Sequence, residues 1–283
     1  MELSIICPVF NEEDNILPFV NEVKNVLETI QISDYQIIFV LDKSKDNSFE
    51  VLKNLSAQEE KIKVLHLSAR YGHQESIIAG MEYSLKAKMI ITMDVDLQHP
   101  PSLIPKLVDE MKKGYDIVIT KRILNKDYSL IRKITGNLFY NLNNLFSDTK
   151  IMQGSADFRI ISQRVATHLI EKFPERDFFL RGIISLIGFN HTFIEYSAKK
   201  REFGNSKFNN FKKIQFAITG IMSLSTRPLY ISILFGIIFA ILSLISLFFM
   251  IFNYIYNGNI SQGWTSIISI ILAVSTIQFF LIG

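Results

Sequence analysis

The chain has 283 residues and a formal net charge of +3, a surplus too small to indicate a nucleic-acid-binding protein. Its single cysteine, Cys7, excludes an intramolecular disulfide and is expected to be a core thiol. All 30 lysines and arginines and all 27 acidic residues precede residue 229, so the last 55 residues carry no formal charge. Residues 1–7 have no basic leader and predict no signal peptide.

Short apolar runs alternate with segments of helical periodicity along the first 228 residues, which are enough for one substantial core. We predict strands at residues 3–7, 36–41, 63–67, 89–93 and 116–120, with helices between them, such as 13–30 and 75–86. This order predicts an α/β fold with a mostly parallel sheet. Ligands of such sheets bind beyond the carboxyl ends of the strands, where loops at 8–12, 42–46, 68–73 and 94–98 are expected to converge.

Two carboxylates and an amide follow the fourth run, as Asp94, Asp96 and Gln98. Side chains alternate along an extended backbone, so these three can face one side and offer oxygens to one divalent cation. Such a site suits a bound diphosphate. The alternative is that the two aspartates only cap the helix that begins near Ser102.

The uncharged tail predicts membrane spans. Residues 229–256 form a 28-residue apolar segment, longer than the roughly 20 residues that cross a bilayer as a helix. After a polar turn, residues 264–282 have about the length of a second span, with Trp264 at an interface. We predict a helical hairpin. A buried hairpin in a soluble core is the weaker alternative, because nothing would hydrate its outer faces.

Seven basic residues and one acid lie between residues 199 and 227, and the turn between the two apolar segments has neither. By the positive-inside rule, this places the large N-terminal part in the cytoplasm. Apolar residues recur at helical spacing from Phe208 to Met222, which predicts an amphipathic juxtamembrane helix within 201–228. An ordinary helix packed on the first domain is the alternative. The predicted organisation is a domain over 1–200, this segment, and spans at 229–256 and 264–283.

Six short motifs, in chain order, carry a family resemblance. They are Cys7-Pro8-Val9-Phe10-Asn11-Glu12-Glu13, Phe39-Val40-Leu41-Asp42-Lys43-Ser44-Lys45-Asp46, Tyr71-Gly72-His73-Gln74, the segment 94–101, Gly154-Ser155-Ala156-Asp157-Phe158-Arg159 and Arg201-Glu202-Phe203-Gly204-Asn205-Ser206-Lys207. With two apolar segments behind them, the chain resembles the polyprenyl-phosphate glycosyltransferases. These form the dolichyl-phosphate mannose synthase-like branch of glycosyltransferase family 2, whose bacterial members have two spans. The resemblance implies the nucleotide-sugar-binding fold called GT-A.

The resemblance also implies how a donor nucleotide sugar is bound. The residues that it implies in contact with the nucleotide sugar are Pro8, Glu12, Asp42, Asp94 and Lys207. The family places Asp42 on the nucleobase, and a carboxylate there can accept from the ring N–H of uracil or guanine. The chain departs from the family pattern at Leu41 and Lys43, where an acid and a glycine are usual, so contacts to base or ribose are expected to differ. An Asx turn is the alternative role for Asp42 and Asp46.

A divalent cation, Mg²⁺ or Mn²⁺, is implied at Asp94, Asp96 and Gln98, where it would neutralise the nucleoside diphosphate as the sugar bond breaks. His99 has no second histidine at ligand spacing, and we expect it to be structural. His73 is likewise expected to position or pack rather than to act as an acid or base.

The acceptor implied by the resemblance is a polyprenyl phosphate. A phosphate monoester has a second pKa near 6 and is mostly ionised at cytoplasmic pH, so a strong base is hardly needed. Cationic groups must instead hold two anions together. The candidates are Arg122, Arg132 and Arg201, with Lys207 as a further contact; solvated surface arginines are the alternative. The catalytic set also includes Asp96 and Asp157. Asp157 stands where the family has its catalytic carboxylate, and we expect it to orient the acceptor or take a residual proton.

The implied enzyme is an inverting hexosyltransferase of the cytoplasmic membrane that uses UDP-glucose or UDP-N-acetylglucosamine, or else GDP-mannose. Paired hairpins predict self-association. A processive polysaccharide synthase is the alternative within enzymes, although the chain lacks a Gln-x-x-Arg-Trp element. A catalytically silent scaffold and a transporter-like hairpin are the alternatives outside enzymes, and the lack of charge within the apolar segments argues against transport. The uncharged end at Gly283 suggests a shortened C-terminus.

Overall fold

A computed structural model of the chain describes residues 1–123, 155–173, 180–197, 227–258 and 263–282. The described residues form two compact units, one up to residue 197 and the other from residue 227. Three of the predicted site residues, Arg132, Arg201 and Lys207, lie outside the described residues. The predicted amphipathic segment also lies outside them, up to residue 226.

The first unit contains seven strands and six α-helices among the described residues. The strands are β1 (Leu3–Val9), β2 (Tyr35–Leu41), β3 (Ile62–His66), β4 (Met89–Thr92), β5 (Ile117–Ile123), β6 (Ser155–Ser162) and β7 (His191–Ser197). The helices are α1 (Glu13–Thr29), α2 (Ser48–Gln58), α3 (His73–Tyr83), α4 (Ile104–Lys112), α5 (Gln163–Lys172) and α6 (Leu180–Leu186). A 3₁₀ turn at Pro101–Leu103 precedes α4.

The strands form one sheet in the order β3-β2-β1-β4-β6-β5-β7. The pairs β2–β3, β1–β2, β1–β4 and β5–β7 are parallel, whereas β6 runs antiparallel to both β4 and β5. The predicted α/β fold with a mostly parallel sheet is therefore confirmed. The five predicted strands overlap β1 to β5, while β6 and β7 were not predicted.

The centre of the sheet is buried because helices cover both of its faces. Every residue of β1 is buried, which accounts for its nearly continuous apolar sequence, interrupted only at Ser4. On one face, Phe19 of α1 meets Phe39 of β2 edge to face, with ring centroids 6.1 Å apart. On the other face, α3 lies so close to β1 and β2 that only a glycine fits at position 80, against Ile6 and Val40.

The second unit consists of two apolar helices, α7 (Arg227–Asn257) and α8 (Trp264–Ile282). They pack antiparallel. The ring of Phe239 stacks on that of Phe279 with centroids 5.3 Å apart, and further along α7 the Oγ atoms of Ser246 and Ser269 lie 2.8 Å apart. The predicted helical hairpin is confirmed.

Among the described residues, one helix is long and apolar enough to cross a membrane, namely Leu229–Tyr256 within α7. Its mean hydropathy is 2.8, and only 6% of its most apolar stretch is buried. The apolar stretch of α8, Ser266–Ile282, is shorter. At 1.5 Å per residue the whole of α8 still extends about 28 Å, close to the thickness of a hydrocarbon core.

Candidate active site

The loops after β1 and β2 are tied together by a reciprocal capping of α1 and α2. Asp46 accepts through Oδ2 from the N–H of Glu13 at 3.1 Å and through Oδ1 from the N–H of Ser48 at 3.2 Å. In return Glu13 accepts from the N–H of Asn47, and the Oγ of Ser48 accepts from the N–H of Glu12. These bonds satisfy N–H groups that the start of a helix leaves without partners. Asp46 therefore makes the Asx turn considered for it.

Asp42 anchors the loop between β3 and α3. The residue is 4% exposed, and its carboxylate accepts from the N–H of Tyr71 at 3.0 Å and from the N–H of Gly72 at 3.1 Å. The N–H of Lys43 is a third donor, at 3.0 Å. Gly72 has a φ of +117°, which glycine adopts without strain. Two strand ends are thereby joined through one buried carboxylate.

The next residue of the same loop reaches the acidic motif. Nε2 of His73 lies 2.7 Å from Oδ1 of Asp94. Burial lowers the pKa of His73, but the attraction of the Asp94 carboxylate outweighs burial and raises that pKa to about 9. Burial alone would raise the pKa of Asp94. The neighbouring His99 and His73 have the opposite and larger effect, so the pKa of Asp94 is lowered. The two side chains form an ion pair at neutral pH.

The acidic motif follows β4 with the predicted alternation. Asp94, Asp96 and Gln98 are half-buried, whereas Val95 and Leu97 between them are buried. Asp96 accepts from the N–H of Gln98 at 3.1 Å, and Leu97 has a φ of +57°, so the chain turns here. The three oxygen-bearing side chains are thus the more exposed ones of a turn, not of the extended backbone that was predicted.

His99 supports the motif from its buried side. Its Nδ1 accepts from the N–H of Asp94 at 3.0 Å, and its ring stacks on Phe158 with centroids 5.3 Å apart. Tyr196 packs edge-on against both rings. His99 is 7% exposed and has the packing of a structural residue. Neither aspartate of the motif caps the 3₁₀ turn that follows, whose N-cap residue is Pro100 and has no side-chain cap.

Arg122, near the end of β5, extends toward the same motif. Its Nη1 lies 3.5 Å from Oε1 of Gln98, and it is in register with Tyr196 of β7. A guanidinium in this place brings positive charge to the acidic motif at Gln98. An anionic diphosphate needs such charge when it approaches acidic side chains.

Asp157 lies in β6 between two arginines. Arg181 of α6 donates from Nε to Oδ1 at 2.9 Å and from Nη2 to Oδ2 at 2.6 Å. Arg159 donates from Nη2 to Oδ1 at 2.6 Å. Burial opposes the charge of Asp157, but the two guanidinium groups outweigh burial and hold the pKa of its carboxyl far below the ordinary value. A carboxylate in this state is poorly suited to take a proton at neutral pH.

Comparison with known proteins identifies the family. Residues 4–169 match the profile of glycosyl transferase family 2. The chain belongs to glycosyltransferase family 2. It is 31% identical to the uncharacterized glycosyltransferase YkcC of Bacillus subtilis, over 100% of this chain and 87% of that protein. It is 32% identical to the bactoprenol glucosyl transferase of Shigella phage SfX, over 100% of this chain and 92% of that protein.

A solved structure supports the fold of this glycosyltransferase. The crystal structure of mannosyl-3-phosphoglycerate synthase from Rubrobacter xylanophilus superposes with a TM-score of 0.52 and 12% sequence identity. The match covers 77% of this chain and 71% of that one. At this level of identity the likeness shows the fold alone, and it agrees with the GT-A fold implied by the sequence motifs.

The acidic motif of the glycosyltransferase has the ligand chemistry of a divalent-cation site. The carboxylates of Asp94 and Asp96 and the amide carbonyl of Gln98 are hard oxygen donors of the kind that Mg²⁺ and Mn²⁺ take. Within the described ranges, no three acidic, histidine or cysteine side chains group as a metal site made by protein alone. Oxygen donors of this kind fit a cation that completes its coordination with substrate phosphate oxygens and water, as Mg²⁺ commonly does.

The other described residues predicted to bind the nucleotide sugar lie near the end of β1. Pro8 is buried in β1, in register with Val40 of β2. Glu12 stands at the N-cap of α1 and accepts a hydrogen bond of 2.6 Å from Asn15. Both are on the side of the site that Asp42 occupies, at the ends of two neighbouring parallel strands.

Arg181 and Gln74 are among the residues of the candidate site to which the sequence assigned no role. Arg181 comes 24 residues after the Asp157 that it holds, in a segment with no motif, so no local signal could have found it. Gln74 belongs to the Tyr71-Gly72-His73-Gln74 motif, and this motif was the sequence signal that could have indicated a role for it. Its Oε1 accepts from the N–H of Leu180 at 2.9 Å and so holds the start of α6.

Proposed function

We propose that this glycosyltransferase transfers a hexose, glucose in the favoured case, from a UDP-sugar to a polyprenyl phosphate at the cytoplasmic membrane. The observation that carries the proposal is the similarity to the phage bactoprenol glucosyl transferase, which extends over 100% of this chain and so includes both apolar helices. A lipid acceptor accounts for the presence of a nucleotide-sugar fold and helices with exposed apolar faces in one chain.

The proposed reaction is a single displacement. The phosphate oxygen of the acceptor, mostly ionised because the second pKa of a monoester is near 6, attacks C1 of the hexose. A new O–C1 bond forms while the bond from C1 to the nucleoside diphosphate breaks, and the electron pair leaves with the diphosphate. The configuration at C1 is inverted, and no proton has to move.

We assign Asp94, Asp96 and Gln98 to the divalent cation, Mg²⁺ or Mn²⁺, which when bound would supply positive charge to the diphosphate. His73 holds the Asp94 carboxylate in place through the 2.7 Å contact. Arg122, beside Gln98, adds charge for two anionic reactants. Arg132, Arg201 and Lys207 complete the proposed cationic set.

The nucleoside end of the donor is assigned to Pro8, Glu12 and Asp42. Asp42 acts there in two compatible ways. It anchors the loop at Tyr71 and Gly72, and the second lone pair of its Oδ2 has the chemistry to accept from a base N–H.

The proposed topology is a membrane hairpin with the catalytic domain in the cytoplasm. We place that domain over residues 1–200, a juxtamembrane segment over 201–228 and the spans over 229–256 and 264–283. The basic surplus between residues 199 and 227 supports this orientation. The apolar faces of the hairpin also support association of several copies in the membrane.

The function is tested with the full-length protein in detergent or vesicles. Radiolabelled UDP-glucose, UDP-N-acetylglucosamine and GDP-mannose are each offered singly, with undecaprenyl phosphate and Mg²⁺ or Mn²⁺. We expect label from UDP-glucose to enter the organic phase and EDTA to stop the transfer. Label from none of the three donors would overturn the proposal, and label from GDP-mannose alone would overturn the assigned donor.

A further inference from the structure

Asp157 and its two arginines form a layered cluster. The exposed fraction of the side chain rises from 1% for Arg159 to 12% for Asp157 and 28% for Arg181. Arg159 is therefore the buried end of the cluster, and Arg181 is the end that faces outward. Two guanidinium groups and one carboxylate give the cluster a formal charge of +1.

The cluster lies beside the acidic motif. The hydroxyl of Thr92, the last residue of β4, donates to the backbone carbonyl of Asp157 in β6. This bond joins the backbone of Asp157 to β4 at a point two residues before Asp94. The backbone N–H of Leu180, the residue before Arg181, donates to the side chain of Gln74 at 2.9 Å, and Gln74 is the residue after His73. Since His73 contacts Asp94, the outward guanidinium lies near the residues assigned to the cation and the diphosphate.

Building on the proposed function, we propose that Arg181 binds a phosphate oxyanion of the reactants and that Asp157 is a positioning residue that holds the Arg181 guanidinium in place. The fork-like contact fixes the plane of the guanidinium, because Nε and Nη2 bind different oxygens of one carboxylate. A general base works best with a pKa near the operating pH, and the pKa of Asp157 is held far below it.

A phosphate is the ligand that fits this chemistry. The guanidinium keeps its charge at any physiological pH, and its planar donors match phosphate oxygens. Its charge would offset the carboxylates of Asp94 and Asp96 as two anionic reactants come together. Two sources supply the same chemistry, namely the diphosphate of the donor and the monoester of the acceptor, and the experiment separates them.

The kinetic test compares Arg181→Gln, Asp157→Asn and the double variant. We expect kcat to fall about a hundredfold for Arg181→Gln, as when one preorganised donor is removed, and about tenfold for Asp157→Asn. If Asp157 acts through Arg181, the double variant loses no more than Arg181→Gln alone, because residues that act as a unit are not additive. A multiplied loss of about a thousandfold would show independent roles and overturn the proposal.

A binding test does not depend on transfer. With Mg²⁺ present, calorimetry measures the affinity for inorganic pyrophosphate, which stands for the donor, and for inorganic phosphate, which stands for the acceptor. We expect Arg181→Gln to weaken at least one of them about tenfold, the typical value of one charge-assisted contact. The probe whose affinity falls shows whether Arg181 binds the donor diphosphate or the acceptor phosphate. Unchanged affinity for both would overturn the proposal.

The matched control is Arg164→Gln. Arg164 pairs with Asp116 at the same 2.6 Å distance, but on the protein surface outside the site. This variant should behave as wild type in both tests, and an equal loss would attribute the effect to ion pairs in general and overturn the proposal.

Asp157→Asn could fail to fold because Arg159 is buried. In that case Arg181→Ala with added guanidinium decides: recovery of activity supports the proposal, and no recovery overturns it. If the wild type transfers sugar and Arg181→Gln is fully active, this inference is overturned and the proposed function stands. Failure of the wild type to transfer any sugar would overturn the proposed function, while pyrophosphate and phosphate binding would still decide the role of Arg181.

Discussion

The side-chain carbonyl of Gln74 accepts a 2.9 Å hydrogen bond from the backbone N–H of Leu180, across 106 residues of chain. This hydrogen bond joins the first turn of α3 to the start of α6, the helix that carries Arg181. The two residues before His73 bind Asp42, and His73 itself contacts the acidic motif. One short segment therefore connects three parts of the site.

Replacing Gln74 with alanine should lower kcat about tenfold, because the first turn of α6 loses its tether and the Arg181 guanidinium moves from its place. The free energy of unfolding should fall by only about 1 kcal/mol, the net value of one hydrogen bond. Transfer assays and thermal unfolding measure the two effects. Gln163→Ala is the matched control, since Gln163 donates to the carbonyl of Leu85 at 2.6 Å outside the site. Equal losses of rate in both variants would contradict the prediction.

Replacing Asp42 with alanine should destabilise the protein even without nucleotide. Three backbone N–H groups would lose a charged acceptor, and we expect the free energy of unfolding to fall by about 2 kcal/mol. Asp42→Asn keeps one carbonyl oxygen and should lose about half as much. Chemical unfolding in detergent without ligand measures this. Asp34→Asn, at an acid that is 61% exposed, is the control. If Asp42→Ala unfolds like that control, the carboxylate does not anchor the loop.

Asp96→Ala should reduce turnover more than Asp157→Asn does. Asp96 is assigned to the cation, whose loss costs several kcal/mol of transition-state stabilisation, or about a thousandfold in rate. Asp157→Asn keeps an oxygen that accepts from Arg181, and about a tenfold loss is expected. Turnover is compared at saturating substrates and metal. Equal abolition of turnover in both variants would show that this ranking is wrong.

Gly80→Ala should destabilise the fold although alanine favours a helix. The gain in helix propensity is about 1 kcal/mol. The added methyl would overlap the side chain of Ile6 and lie 3.1 Å from that of Val40, both buried in the sheet. Overpacking of this kind costs about 1–3 kcal/mol, so we expect a net loss of stability in thermal unfolding. An unfolding temperature above that of the wild type would contradict the packing of α3 on β1.

The parallel part of the sheet could be predicted because its strands are covered on both faces. β1 and β2 are mostly apolar runs; β2 ends at residue 41 as predicted, and β1 continues two residues beyond its predicted end at residue 7. β6 could not be predicted in the same way. It carries Asp157 and Arg159 at alternating positions, which is typical of an exposed strand or loop, yet Arg159 is 1% exposed. Burial of these charges depends on their pairing, which no local pattern reveals.

The convergence of the loops could be predicted from the parallel order, but the partners of each side chain could not. The Asp42 carboxylate binds N–H groups 29 and 30 residues further along the chain. Arg181 reaches Asp157 from a helix outside every recognised motif. Contacts of this kind follow from tertiary placement, so spacing along the chain gives no signal for them.

The burial of Arg159 constrains which replacements of Asp157 the fold can tolerate. Its Nε has no hydrogen-bond partner within the part of the chain that the structure describes, and the carboxylate that balances its charge there is Asp157. Deleting that carboxylate alone would strand a cation in the interior, at a cost of about 3–5 kcal/mol. A homologue that lacks the aspartate at position 157 is therefore expected to lack the arginine at position 159 as well.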